Sequence, residues 1–125
     1  MIVGVGIDVL EVARLEAALR RHGDRFVERV FSEAERAVCD RRADRVLALA
    51  ARFAAKEACL KALGTGWAEG LGFRDVEVVR EGNRPPRLVL HGEAARRAES
   101  LGVVRSHVSL THQPGLAAAV VVLES

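Results

Sequence analysis

Hydrophobic and polar positions alternate between two periods along the chain, and the changes of period mark its elements. Met1 to Ile7 is β-branched and glycine-rich, and polarity appears at Asp8, which predicts a short buried strand ending on a carboxylate. From Val12 the apolar positions Val12, Leu15, Leu19 and Phe26 recur at helical spacing, with Arg14, Arg21 and Arg25 together on another face. This reads as an amphipathic helix with a basic stripe. Ser32-Glu33-Ala34-Glu35 is a capping-box pattern that opens a short helix through Cys39. Asp44 is placed to cap the next helix, which runs to Leu63 without Gly or Pro and stops at Gly64 as a C-cap.

Beyond Gly64 lies the Gly-rich stretch GTGWAEGLG, a loop. FRDVEVVR and RLVLH read as strands joined by the hairpin connection EGNRPP, and Gly92 to Leu101 reads as a short helix. VVRSHVSLT and LAAAVVVLE are two further strands around the turn HQPG. A strand, then helices, then strands with one inserted helix predicts an α+β fold, a single small domain whose largely antiparallel sheet packs on the long central helix.

Composition narrows the function. With 125 residues, 50% of them apolar and 29% charged, the chain fits one globular domain with a core that needs no disulfide or metal staple. A net charge of +2 does not advertise nucleic-acid binding, and with 4% aromatics and no Tyr the chain is poorly equipped to stack single-stranded bases. Of the 19 basic residues all but Lys56 and Lys61 are Arg. Cys39 and Cys59 fall in helical stretches without metal-ligand spacing, so they read as reduced, buried thiols of a cytoplasmic protein. Neither end carries a leader or an apolar run long enough to span a bilayer, which sets export and membrane insertion aside.

Two carboxylates stand out. On a helical projection Glu57 falls within the apolar stripe of Val46, Leu49, Phe53 and Leu60, where a Leu would be expected, and an unpaired buried carboxylate is costly. Glu57 is therefore paired, protonated or bound to a cation. The bland pairing is an i,i+4 salt bridge to Lys61. Asp8 shares a strand face with Ile2, Gly4 and Gly6, and two glycines on that face predict the close approach of another backbone. A central first strand would carry Asp8 to a sheet end beside the long helix, where Asp8 and Glu57 would converge on a hard cation such as Mg²⁺. As an alternative, Asp8 is simply a helix N-cap. The Gly-rich loop is no P-loop: it lacks the GK[ST] ending and follows a helix instead of opening one. His112, before the Gln-Pro-Gly turn, either faces a ligand or is a solvated turn residue. Arg14, Arg21, Arg25 and Arg29 are either a solvated face or a docking surface for an acidic partner.

Four stretches coincide with one known family. GIDVLEVAR (Gly6 to Arg14), RFAAKEACLKALGTG (Arg52 to Gly66), FRDVEV (Phe73 to Val78) and HVSLTH (His107 to His112) resemble the holo-acyl-carrier-protein synthase family of small phosphopantetheinyl transferases, over Met1 to Glu124. The resemblance implies the phosphopantetheinyl-transferase fold and the transfer of 4′-phosphopantetheine from coenzyme A to a serine of apo acyl carrier protein, releasing adenosine 3′,5′-bisphosphate. It implies that Asp8 and Glu57 are magnesium ligands, and that Lys61 neutralises the phosphates. Gly64 and His112, with Arg52 and Arg84, would belong to the coenzyme A site. Arg14, Arg21, Arg25 and Arg29 would meet the acidic recognition helix of the carrier in a homotrimer with active sites at subunit interfaces. Phosphoryl transfer needs mainly positioning and charge neutralisation, which this small residue set supplies. Glu57 ahead of Asp8, or a water on the metal, would take the serine proton. Gln113-Pro114 departs from the family pattern, and Gly23 lengthens the first helix junction by one residue. A non-catalytic module holding an acidic partner on the Arg helix, with Glu57–Lys61 as a structural pair, is the other function class.

Overall fold

The computed structural model describes residues 1–65 and 72–125. Most of the Gly-rich stretch, residues 66–71, lies outside the described residues. Strand β1 (Ile2–Glu11) leads into α1 (Val12–His22), α2 (Asp24–Val30), α3 (Glu33–Asp40) and the long α4 (Arg45–Leu63). A 3₁₀ turn (Phe73–Asp75) precedes the hairpin of β2 (Val76–Val79) and β3 (Arg87–Leu90), then come α5 (Gly92–Ser100), β4 (Arg105–Gln113) and β5 (Leu116–Glu124). The architecture is α+β, with a three-stranded antiparallel sheet in the order β1-β5-β4 and a separate two-stranded sheet β2-β3.

The long helix lies directly on the three-stranded sheet because both surfaces are shaved to small residues. A Cβ on Gly4 would stand 2.1 Å from the Ala62 carbonyl oxygen, and one on Gly6 would stand 1.8 Å from that of Ala58. These two glycines admit the helix backbone, as their shared strand face predicts. From β5, the buried Ala117 and Ala119 leave room along the same line, and Val121 and Leu123 fill the space further on. Against this sheet α4 offers mostly Ala, so the two elements approach closely without long interdigitating side chains.

Several expectations need correction. β1 continues through Asp8 to Glu11 without a break, so Asp8 lies inside a strand and neither ends it nor caps α1, whose N-cap is Glu11. β1 is an edge strand, and β5 is the central one. The first amphipathic helix is two helices: Gly23, at φ 57°, ends α1 by donating its N–H to the Leu19 carbonyl at 2.8 Å, and α2 starts at Asp24. Asp44 precedes α4 but does not cap it, because its carboxylate accepts from Arg42 Nε at 2.7 Å and Nη2 at 3.0 Å. The capping box at Ser32 and Glu35 forms as expected, and Gly64 ends α4 in the left-handed region at φ 78°. Cys39 and Cys59 are free and buried, and burial pushes the Cys59 thiol up to about 12.

Candidate active site

Between Ala48 and Leu63 α4 is buried on nearly every side. The half-open positions are Phe53 and Glu57, with the exposed Lys61 one turn on. These three follow one another at i, i+4 and i+8 and so form a single line along the helix. Glu57 therefore does not interrupt a buried stripe. It sits on the face of α4 that the described residues leave most open, and the fully buried charge of this helix is Lys56, which sequence reasoning passed over.

That open line meets β1 and α1 around a cavity of about 420 Å³ whose lining includes Asp8, Leu10, Arg14, Phe26, Phe53 and Glu57. Asp8 reaches it from the helix-facing side of β1, in register with Gly4 and Gly6. Arg14 reaches it from the first turn of α1. Phe26 and Phe53 stack at 6.1 Å between ring centroids, and Phe53 in turn packs on Phe73 at 5.0 Å, so one wall of the cavity is an aromatic row.

The alternative pairing of Glu57 with Lys61 does not form. Lys61 Nζ donates to Asp8 Oδ1 and to the Ile7 carbonyl, both at 3.0 Å, which ties the end of α4 to β1. Burial pushes the Glu57 carboxyl above its ordinary range. The Asp8 charge adds to that rise, and Lys61 and Arg14 oppose it. Two carboxylates thus share a cavity, one of them tied to Lys61 and the other raised chiefly by burial. Hard oxygen donors in this number and polarity fit a divalent cation that keeps waters or phosphate oxygens for the rest of its shell. Among the described residues no cluster of three or more His, Cys, Asp and Glu converges, so the protein's own donors here are this pair.

A second cavity, of about 290 Å³, lies on another side of the molecule and includes Arg42, Arg52, Arg80, Pro85, Pro86 and His112 in its lining. It unites two residues expected at one ligand site, Arg52 and His112. Arg52 is only 6% exposed; its Nη1 donates to the Ala48 carbonyl at 3.3 Å and its Nε has no partner. Arg42 and Arg80 add cationic charge that local sequence did not reveal, since one sits in a turn after α3 and the other just past β2. Arg84 is exposed in the adjoining turn, outside the lining of this cavity. Gly64 lines neither cavity; its neighbour Leu63 accepts from Arg97 Nε at 3.1 Å, which closes the helix end. Arg21 on α1 and Arg25 and Arg29 on α2 are exposed, like Arg14, and among the described residues none of the four forms an ion pair.

Residues 4–121 match the family model described as the 4′-phosphopantetheinyl transferase superfamily. The chain is 53% identical over 125 residues to the holo-[acyl-carrier-protein] synthase of Nitratidesulfovibrio vulgaris and 46% identical to that of Solibacter usitatus, covering all of each chain in both cases. Among solved structures it is similar to the Neisseria meningitidis holo-[acyl-carrier-protein] synthase, with a TM-score of 0.90, 30% identity and full coverage of both chains. It is also similar to the Helicobacter pylori synthase in complex with coenzyme A, with a TM-score of 0.84 and 32% identity over 96% of this chain and 99% of that one. Fold, paired carboxylates and near-complete coverage agree: the chain belongs to the 4′-phosphopantetheinyl transferase superfamily.

Proposed function

We propose that this chain is a holo-acyl-carrier-protein synthase, moving 4′-phosphopantetheine from coenzyme A to a serine of apo acyl carrier protein and releasing adenosine 3′,5′-bisphosphate. The observation that carries this reading is the Asp8–Glu57 pair in the lining of one cavity beside Phe26 and Phe53, in a chain whose relatives bear that enzyme's name. Asp8 and Glu57 would hold Mg²⁺, which when bound supplies neutralisation of the pyrophosphate charge. Lys61 then stabilises charge on the leaving bisphosphate. Glu57, whose carboxyl holds a proton more readily than an ordinary glutamate, is the group of the pair better suited to accept the serine proton. The buried Arg52, with an N–H donor to spare, and His112 would bind the bisphosphate end of coenzyme A, joined by Arg42 and Arg80. Arg84 and Gly64 keep at most supporting places there, at the cavity rim and at the helix end.

The exposed guanidinium groups of Arg14, Arg21, Arg25 and Arg29, without an ion pair among the described residues, suit an acidic carrier. The outer face of the sheet suits contact with further copies, as the homotrimer would require: Val5, Ile7 and Val9 are 59%, 63% and 58% exposed, and Val120 and Val122 continue the same apolar surface in register. In an assembly of that kind the two cavities of neighbouring copies could serve one coenzyme A. Two buried, unpaired thiols favour the cytoplasm, where the synthesis of fatty acids would use the product. The non-catalytic alternative requires Glu57–Lys61 as a structural pair, and Lys61 is engaged by Asp8 instead. Incubating the protein with apo acyl carrier protein, coenzyme A and Mg²⁺ tests the reading by mass spectrometry. A carrier heavier by one phosphopantetheine is expected; an unmodified carrier at high enzyme concentration overturns it.

A further inference from the structure

The charge buried most deeply in α4 lies outside both cavities. Lys56 is 0% exposed, and its three ammonium protons meet three acceptors: Glu35 Oε1 at 2.7 Å, the Phe73 carbonyl at 3.1 Å and the Val76 carbonyl at 2.5 Å. The Phe31 ring covers it at 5.5 Å. Glu35 is equally saturated, since Oε1 also accepts the Ser32 N–H at 2.9 Å and Oε2 accepts the Val78 N–H at 3.0 Å. One ion pair thus joins the start of α3, the middle of α4, the 3₁₀ turn and β2. Burial pulls the Lys56 pKa down, and the Glu35 charge is the leading influence against it.

Such a pair is a poor choice for stability alone, because an apolar pair of equal volume commonly serves as well, but it is directional where apolar packing is not. α4 has other directional ties at its C-terminal end, from Lys61 to β1 and from Arg97 to the Leu63 carbonyl. Through its middle α4 is buried in large part by alanines, among them Ala48, Ala51, Ala54, Ala55 and Ala58, whose short side chains resist rotation about the helix axis less than long ones would. Glu57 is the next residue, about 100° round the helix, and Phe53 lies most of a turn before Lys56. The Phe53 ring also rests on the ring of Phe73, whose carbonyl Lys56 holds.

We propose that Lys56 is a positioning residue for the transfer reaction: anchored by Glu35, it locks the rotational setting of α4 and thereby the placement of the Glu57 carboxylate and the Phe53 ring in the cavity. The inference rests on the transferase reading. Coenzyme A binding is spread over many contacts and tolerates a small helix rotation, whereas transfer falls steeply with displacement of a reacting group, by about a hundredfold for 1 Å.

The test is steady-state kinetics and amide exchange on K56M/E35Q, which removes both charges at similar volume, and on E35Q alone, which keeps an oxygen acceptor for the ammonium. With a native circular-dichroism spectrum, K56M/E35Q is expected to lose about thirtyfold in kcat with the KM for coenzyme A within threefold of wild type, and to exchange the amides of residues 57 to 61 faster. E35Q is expected to lose less than threefold in kcat. If K56M/E35Q does not fold, K56Q decides, because it keeps two N–H donors for the Phe73 and Val76 carbonyls; about tenfold loss in kcat at unchanged KM is expected. A folded K56M/E35Q or K56Q with kcat within twofold of an active wild type overturns the positioning role and leaves the transferase reading standing. A wild type without transfer activity overturns both.

Discussion

Lys61 Nζ lies 3.0 Å from Asp8 Oδ1 and makes no ion pair with Glu57, its neighbour one turn back on the same helix. The contact ties α4 to β1 and leaves the Glu57 carboxylate as the less compensated of the two acids. Division of labour follows from it: Asp8 is held by Lys61, and Glu57 is the group whose proton affinity is raised.

E57Q is expected to reduce transfer by at least about a hundredfold, because in the proposed roles it removes a carboxylate that would hold the metal against the reacting phosphates. Carrier binding, followed by fluorescence anisotropy of a labelled apo carrier, should stay within threefold of wild type, since the Arg surface is formed by other elements. Joint loss of turnover and carrier binding would contradict these roles.

Stability should carry the same signature. A carboxyl whose folded pKa is raised binds its proton more tightly in the folded than in the unfolded state, so folding is favoured as pH falls through the folded pKa toward the ordinary value of 4.5 and disfavoured above it. In metal-free protein the melting temperature of E57Q relative to wild type is therefore expected to be higher near neutral pH, with the difference shrinking as pH falls through that window. A difference independent of pH would remove Glu57 as its source.

Arg14→Ala and Arg21→Ala are expected to raise the KM for the carrier severalfold at low salt and less at high salt, with kcat for the remaining turnover nearly kept for Arg21→Ala. Arg14 also lines the cavity, so its variant should lose some kcat as well. An unchanged KM in both places the docking surface elsewhere.

Gly6→Ala tests the close approach of sheet and helix. The new methyl group would meet the Ala58 carbonyl oxygen at 1.8 Å, and backbone must move to admit it. A loss of about 3 kcal/mol or more by urea unfolding is expected, with reduced transfer because Asp8 is two residues on in the same strand. Wild-type stability would contradict the packing of α4 on β1.

Legibility in the sequence followed the range of the interactions involved. The capping box at Ser32, the C-cap at Gly64 and the two glycines of β1 are local signals, and each appears where its residues predict it. The order β1-β5-β4 depends on pairings between residues over a hundred positions apart, so a central β1 was the natural but incorrect inference. Helical projection made Glu57 an intruder in an apolar stripe; in fact α4 is enclosed almost all round by sheet and small helices, and its open line is Phe53, Glu57 and Lys61. The same enclosure buries Lys56, whose partner Glu35 is 21 residues away and carries no local mark beyond its capping role. Arg80 reaches the second cavity from the β2–β3 hairpin and Arg42 from the turn between α3 and α4, a meeting of segments far apart in sequence.

The most direct measurement is the mass of apo acyl carrier protein after incubation with coenzyme A, Mg²⁺ and either wild type or E57Q. Addition of one phosphopantetheine by wild type, lost on chelation of the metal and in E57Q, is the predicted result. An unmodified carrier with wild type, or equal modification by E57Q, would contradict the account.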